Sequence, residues 1–178
     1  GIAEAEVCIA PKDIWGMYCV NTDETGAFSF DGLDSDVFLL SATASGYTQE
    51  VMSSVPVDGQ GITIELEQNA PIRGRVLDRD NGKPIPGVRV SIAEHERQRN
   101  IMEQYGVLGE IIDFLREGAA GEGVERTSTG RDGAFELASV NPGRVKLKAE
   151  HPGYAASYSD ELEVESGRAV EDVIIYVD

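Results

Sequence analysis

Apolar residues recur at every second position along most of this chain. Phe28 and Phe30, then Phe38, Leu40 and Ala42, alternate with polar or small residues, as do Val88, Val90 and Ile92, and Val145, Leu147 and Ala149. Ile62, Ile64 and Leu66, and later Val173, Ile175 and Val177, keep the same period. Successive side chains of an extended strand point to opposite faces, so each run predicts a strand with one buried and one wet face. Turn signals separate the runs: Asp58-Gly59, Asp80-Asn81-Gly82, Asp132-Gly133, Asn141-Pro142-Gly143 and Ser166-Gly167. Glycine tolerates positive φ there, and Asp or Asn bonds its own backbone. Short strands, frequent turns and one apolar face per strand predict an all-β protein of antiparallel Greek-key sandwiches rather than βαβ units.

One segment breaks this period. Ile101, Met102, Tyr105, Leu108, Ile111, Ile112 and Leu115 fall at spacings of three and four, with Glu103, Gln104, Glu110, Asp113, Arg116 and Glu117 on the opposite face. That pattern predicts a helical insertion over about 94–118, ended by Gly118, with a flexible glycine-rich return to Gly123. Gly106 and Gly109 weaken a helix interior and allow a break near Gly106. Two readings of the apolar stripe stand. It covers its own sandwich, or Ile101, Tyr105, Leu108, Ile112 and Leu115 form a face that docks a neighbouring domain or partner protein.

The chain repeats itself. Thr22–Tyr47 aligns without gaps with Thr129–Tyr154 at a shift of 129 − 22 = 107, matching Gly26-Ala27-Phe28 to Gly133-Ala134-Phe135 and Gly46-Tyr47 to Gly153-Tyr154. Upstream, Ala5–Ile9 matches Val88–Ile92 at a shift of 88 − 5 = 83, so the second copy carries 107 − 83 = 24 extra residues, which locates the insertion. The leading segment Pro71–Pro86 has no counterpart in the first copy. Two domains are therefore expected: 1–68, a sandwich lacking its first strand, and 69–178, a complete sandwich with the insertion at 94–123. The first copy is expected to be a trimmed piece of something longer, or else another segment supplies the strand. The short junction Glu67–Pro71 restricts the angle between the two copies.

In the second copy, Gly74-Arg75-Val76-Leu77-Asp78, Gly82-Lys83-Pro84-Ile85-Pro86-Gly87-Val88-Arg89-Val90, Thr129, Asp132-Gly133-Ala134-Phe135, Pro142-Gly143 and Gly153-Tyr154 form an ordered series. This series resembles the carboxypeptidase regulatory-like domain, a transthyretin-like (prealbumin-like) seven-stranded sandwich, over Ile72–Val177 outside the insertion. The first copy, Ile2–Glu67, resembles it more weakly. The resemblance implies spacer or adhesive modules of secreted and cell-envelope proteins, and fold by itself assigns no activity.

Chemistry adds little to that picture. Intradiol dioxygenases of related fold hold iron with two Tyr and two His, and here His95 and His151 stand apart with no Tyr-x-His-x-His pattern. The chain ends Ile174-Ile175-Tyr176-Val177-Asp178, not in the Tyr-Arg-Gly-Ser of hydroxyisourate hydrolases. Two distant His do not make a zinc site, and no Gly-x-Ser-x-Gly elbow occurs. Arg73 and Arg75 stand where related wall-anchored modules carry the Lys of an isopeptide bond, and a guanidinium is no such nucleophile. No catalytic residue and no cofactor is expected.

Val7-Cys8-Ile9 and Tyr18-Cys19-Val20 read as facing strands of a hairpin, with 8 + 19 = 7 + 20 = 9 + 18 placing Cys8 opposite Cys19. Either the two form a structural disulfide, which fits an oxidising compartment, or they are buried thiols. Trp15 and Tyr18 near the hairpin tip are candidate glycan contacts. Asp31, Asp34 and Asp36 in one turn, and Asp78, Asp80 and Asn81 in another, are weak calcium candidates without EF-hand spacing. The net charge of −17 excludes the basic footprint of a nucleic-acid binder, and no run is long and apolar enough to span a bilayer as a helix. The function expected is a non-catalytic module of a larger exported or surface protein, spacing or docking neighbouring domains; the alternative is a carbohydrate- or calcium-binding module.

Overall fold

The structure, a computed structural model, describes residues 1–11, 17–33, 37–56, 61–95 and 125–178. It divides into two compact units, Gly1–Glu67 and Gln68–Asp178. Unit 1 contains β1 (Glu6–Pro11), β2 (Tyr18–Asn21), β3 (Val37–Thr43) and β4 (Glu50–Pro56) in one antiparallel sheet of order β2-β1-β3-β4. The β1–β3 register sets Val7 opposite Ala42 and Ile9 opposite Leu40, and these four side chains form its buried centre. Phe28, Phe30, Leu33, Ile62, Ile64 and Leu66 pack on that centre only half-buried.

Unit 2 contains β5 (Ala70–Asp78), β6 (Arg89–His95), β7 (Arg126–Ser128), β8 (Ala134–Val140), β9 (Gly143–Glu150), β10 (Ser157–Tyr158), β11 (Leu162–Val164) and β12 (Val170–Val177). One sheet has the order β10-β9-β6-β7 with β11 also paired to β9, and the other the order β12-β5-β8. Alternation places Ile72, Val76, Val90, Leu137, Val145, Leu147, Ile175 and Val177 in a single core, each almost fully buried. Each fully buried aliphatic side chain of this kind contributes on the order of 2 kcal/mol, which makes this core the main stabilising element of the unit.

Two expectations need correction. No helix occurs among the described residues, and the proposed start of the helical insertion is strand. Glu94 and His95 pair with Lys146 and Val145 of β9, past a register shift after Ile92. The buried His95 ring bonds the Asn141 carbonyl through Nε2 at 3.1 Å. The ladder thus carries β6 two residues into the segment read as helical, and residues 96–124 lie outside the described residues. The sheets are also not wholly antiparallel, because β12 runs parallel to β5, with Gly74 beside Val173 and Asp78 beside Val177. Side-chain alternation is the same for either direction, and a whole domain separates these strands, so neither period nor loop length could reveal it.

The sequence repeat is a structural repeat. Thr129 Oγ1 accepts from the Val88 amide (2.9 Å) and donates to the Ile85 carbonyl (2.7 Å); Thr22 Oγ1 accepts from the Ala5 amide (2.9 Å) and donates to the Ile2 carbonyl (2.7 Å). The backbone follows suit: Gly130 N–H to Ala134 matches Asp23 N–H to Ala27, and Tyr154 N–H to His151 matches Tyr47 N–H to Ala44. Ala155 N–H to Asp178 matches Thr48 N–H to Glu67, which aligns the last segments at a shift of 178 − 67 = 111. Glu4 takes a positive φ of 55° where the second copy has Gly87 at 72°.

Candidate functional site

Cys8 and Cys19 occupy directly opposed positions of β1 and β2 and are joined as a disulfide, their Cα atoms 4.1 Å apart. Glu6 lies close to the two sulfurs. Sulfurs bonded to one another are not thiolates, so the trio offers a metal a single good donor. Tyr18, next to Cys19, is 61% exposed. Trp15, Asp34, Asp36 and the docking candidates Ile101, Tyr105, Leu108, Ile112 and Leu115 lie outside the described residues. Asp31 is exposed.

The other acidic turn is occupied by its own backbone. Asp78 Oδ1 accepts from the amides of Asp80 (3.0 Å) and Asn81 (3.1 Å), Asn81 Oδ1 from that of Lys83 (2.9 Å), and Asp78 Oδ2 from the Tyr154 hydroxyl (3.2 Å). Asp23 plays the same turn-closing part in unit 1. Its Oδ1 accepts from the Thr25 amide and hydroxyl and the Ala27 amide at 2.7–2.9 Å. The Thr25 hydroxyl first, then these amides, hold its pKa below the usual carboxylate value.

A groove of about 450 Å³ opens on unit 2, with Arg89, Ser128, Glu150, His151 and Tyr154 among the side chains lining it. The sequence His151-Pro152-Gly153-Tyr154 makes a tight turn, closed by the Tyr154 amide on the His151 carbonyl (3.1 Å), and the two rings stand 5.4 Å apart. His151 Nδ1 accepts from the Gly153 amide (3.1 Å), so the neutral ring carries its proton on Nε2. Burial, and then the Asp78 carboxylate, raise the Tyr154 pKa and keep the phenol protonated. Glu150 is ion-paired to Lys148 Nζ at 2.7 Å, and that bond first, with a smaller contribution from Arg89, lowers its pKa. Such a groove offers hydrogen-bond donors to a polar ligand. Its acceptor nitrogen, phenol and carboxylate are each engaged by the fold, so none is poised as a base. The spacing of His151 and Arg89 in sequence offered no signal for this groove; the only hint was the repeated Gly-Tyr, which marks the turn.

No protein-family model matches the chain, and no curated protein matches it. Solved structures do. GBS52, the minor pilin of Streptococcus agalactiae, aligns over 99% of this chain and 84% of its own, with 11% identity and a TM-score of 0.50. The Bacillus anthracis TIE protein aligns over 99% of this chain, which spans 30% of that one, with 17% identity and a TM-score of 0.38. The shaft pilin SpaA of Lactobacillus rhamnosus GG aligns over 99% and 88%, with 10% identity and a TM-score of 0.38. At such identities the likeness is one of fold. The chain has an all-β fold like that of GBS52.

Proposed function

We propose that this chain is a non-catalytic structural module of an exported, cell-surface protein, in which two transthyretin-like sandwiches space or dock neighbouring domains. The observation that carries this reading is the parallel pairing of the first and last strands of unit 2. Because β5 and β12 run the same way, the polypeptide enters at Ala70 and leaves beyond Val177 at opposite ends of one ladder. At ~3.3 Å per residue, the eight residues of β12 span about 26 Å. Tension between those ends loads the ladder along the strands, so its hydrogen bonds share the force and break together. Antiparallel terminal strands would instead be peeled apart one bond at a time. The Cys8–Cys19 disulfide suits the oxidising setting of such a protein.

Pulling the full chain by its two ends in a single-molecule force experiment tests this. Unit 2 should extend in one abrupt high-force step. The variant Ile175→Pro, which removes a β12 amide and a core side chain, should lower that force. Gradual low-force extension of the unmodified unit 2 would refute a load-bearing spacer role.

A further inference from the structure

Glu150, Arg89 and Ser128 form one row across three strands of unit 2. The β6–β9 register sets Arg89 opposite Glu150, and the β6–β7 register sets it opposite Ser128. Alternation turns this row away from the core, since the next residue of β6, Val90, is fully buried while Arg89 and Ser128 are exposed. The row meets the His151–Tyr154 turn at the groove of about 450 Å³, a size that suits a small ligand. The hydrogen-bonding capacity left over there is of a particular kind. Among the described residues nothing pairs with the Arg89 guanidinium, the Ser128 hydroxyl or His151 Nε2–H. Glu150 gives Oε1 to Lys148 and keeps Oε2. Glu150 and Lys148 cancel in charge, so the groove carries the positive charge of Arg89, in a chain whose formal net charge is −17.

We infer that this groove binds an acidic sugar, a pyranose bearing a carboxylate. The carboxylate answers Arg89, whose fork of parallel N–H donors matches its two oxygens. Ser128 and His151 Nε2–H donate to neighbouring sugar oxygens, and Glu150 Oε2 accepts from a sugar hydroxyl. The tilted His151 and Tyr154 rings, 5.4 Å apart, offer C–H and π surface to the apolar side of the sugar. A bare anion would leave Glu150 Oε2 unanswered. A peptide strand has no place to add, because Arg89 lies on β6, which is bonded on both sides by β9 and β7. Lys148 and Arg126, each paired across Ser91 on the same outward side, extend positive charge beyond the groove toward further acidic residues of a polymer. This inference stands independently of the spacer role.

The test is a titration of the isotope-labelled full chain with trigalacturonate in low-salt buffer, read by amide NMR shifts. Saturable shifts should appear at Arg89, Ser128, Gly153 and Tyr154. Arg89→Gln should raise the Kd about 10-fold or more, and Ser128→Ala about 3-fold. Both sites are exposed, so the fold should persist, with unchanged shifts outside the groove as the check; should Arg89→Gln disturb the fold, Ser128→Ala decides. Arg89→Lys, which keeps the charge without the fork, should fall between the parent and Arg89→Gln. Maltotriose, a neutral sugar, and acetate, an anion without hydroxyls, should each bind about 10-fold more weakly than trigalacturonate or worse. Absent shifts, shifts confined to other surfaces, or variants that bind as tightly as the parent overturn the inference. Equal binding of maltotriose would assign the groove to neutral sugars, and equal binding of acetate or of a hexaglutamate peptide would make it a general carboxylate site; either overturns the stated ligand.

Discussion

Replacing Thr129 by Val tests whether the repeated threonine frame holds each unit together. Thr129 is 6% exposed, and its hydroxyl is the bridge between the Val88 amide and the Ile85 carbonyl. Valine has the same shape but neither accepts nor donates, so both backbone groups lose their partner beside a core whose Val88 is fully buried. Each stranded group costs about 1–3 kcal/mol, and burying a methyl in place of a hydroxyl returns about 1 kcal/mol. The net loss is about 1–5 kcal/mol, or roughly 4–20 °C in Tm at ~4 °C per kcal/mol for a unit of this size.

Urea denaturation followed by a probe for each unit, with calorimetry alongside, measures it. Thr129→Val should shift the unit 2 transition and leave that of unit 1 in place. Thr22→Val should do the reverse, because Thr22 makes the same two bonds in unit 1. Thr129→Ser keeps the hydroxyl and should cost about 1 kcal/mol or less for the missing methyl. If Thr129→Val lies within ~0.5 kcal/mol of the parent, or if serine damages the unit as much as valine, the hydroxyl bridge is not a stabilising element.

Three further outcomes are expected. Glu4→Gly should stabilise unit 1 by about 0.5–1 kcal/mol in denaturant titrations, because Glu4 sits at φ 55° where the second copy uses Gly87; a loss of stability would refute the strain argument. Reducing Cys8–Cys19, whose partners are 11 residues apart, should lower the stability of unit 1 by about 3 kcal/mol and leave unit 2 unmoved, as read by melting with and without reductant. Asp23 has a folded pKa below its unfolded value, so its contribution is present above pH ~4 and is lost as pH falls through the depressed folded value; Asp23→Ala should flatten that part of the unit 1 acid-unfolding curve, seen by circular dichroism.

The strands were legible because a sandwich imposes a period of two on every strand that faces its core. Val88, Val90, Val145, Leu147, Ile175 and Val177 show that period in sequence and lie in the core in space. The repeat was legible for a related reason. The same turn needs a capping hydroxyl at Thr22 and Thr129, and a left-handed residue at Gly26 and Gly133. Strand direction was not, since β5 and β12 would alternate identically if antiparallel. Nor was the end of β6: Glu94 and His95 are polar and look like loop or helix start. Only the pairing with Lys146 and Val145, and the carbonyl waiting for the imidazole, make them strand. The groove beside Arg89 and His151 assembles from residues 62 positions apart (151 − 89), brought together by the β6–β9 ladder, and no local pattern encodes that meeting.

The two units also separate what a buried face needs from what it has. Ile62, Ile64 and Leu66 keep the apolar period of Val173, Ile175 and Val177, yet they are half-exposed where the latter are sealed. An apolar residue left half-wet forfeits part of the ~25 cal/mol per Å² that burial would return, and it also invites association. Sequence alternation therefore specifies that a face is to be covered without naming the cover. In unit 2 the cover is β5, which touches both β8 and β12. In unit 1 the same alternation persists at Ile62, Ile64 and Leu66, which pack half-buried on the Val7, Ile9, Leu40 and Ala42 centre.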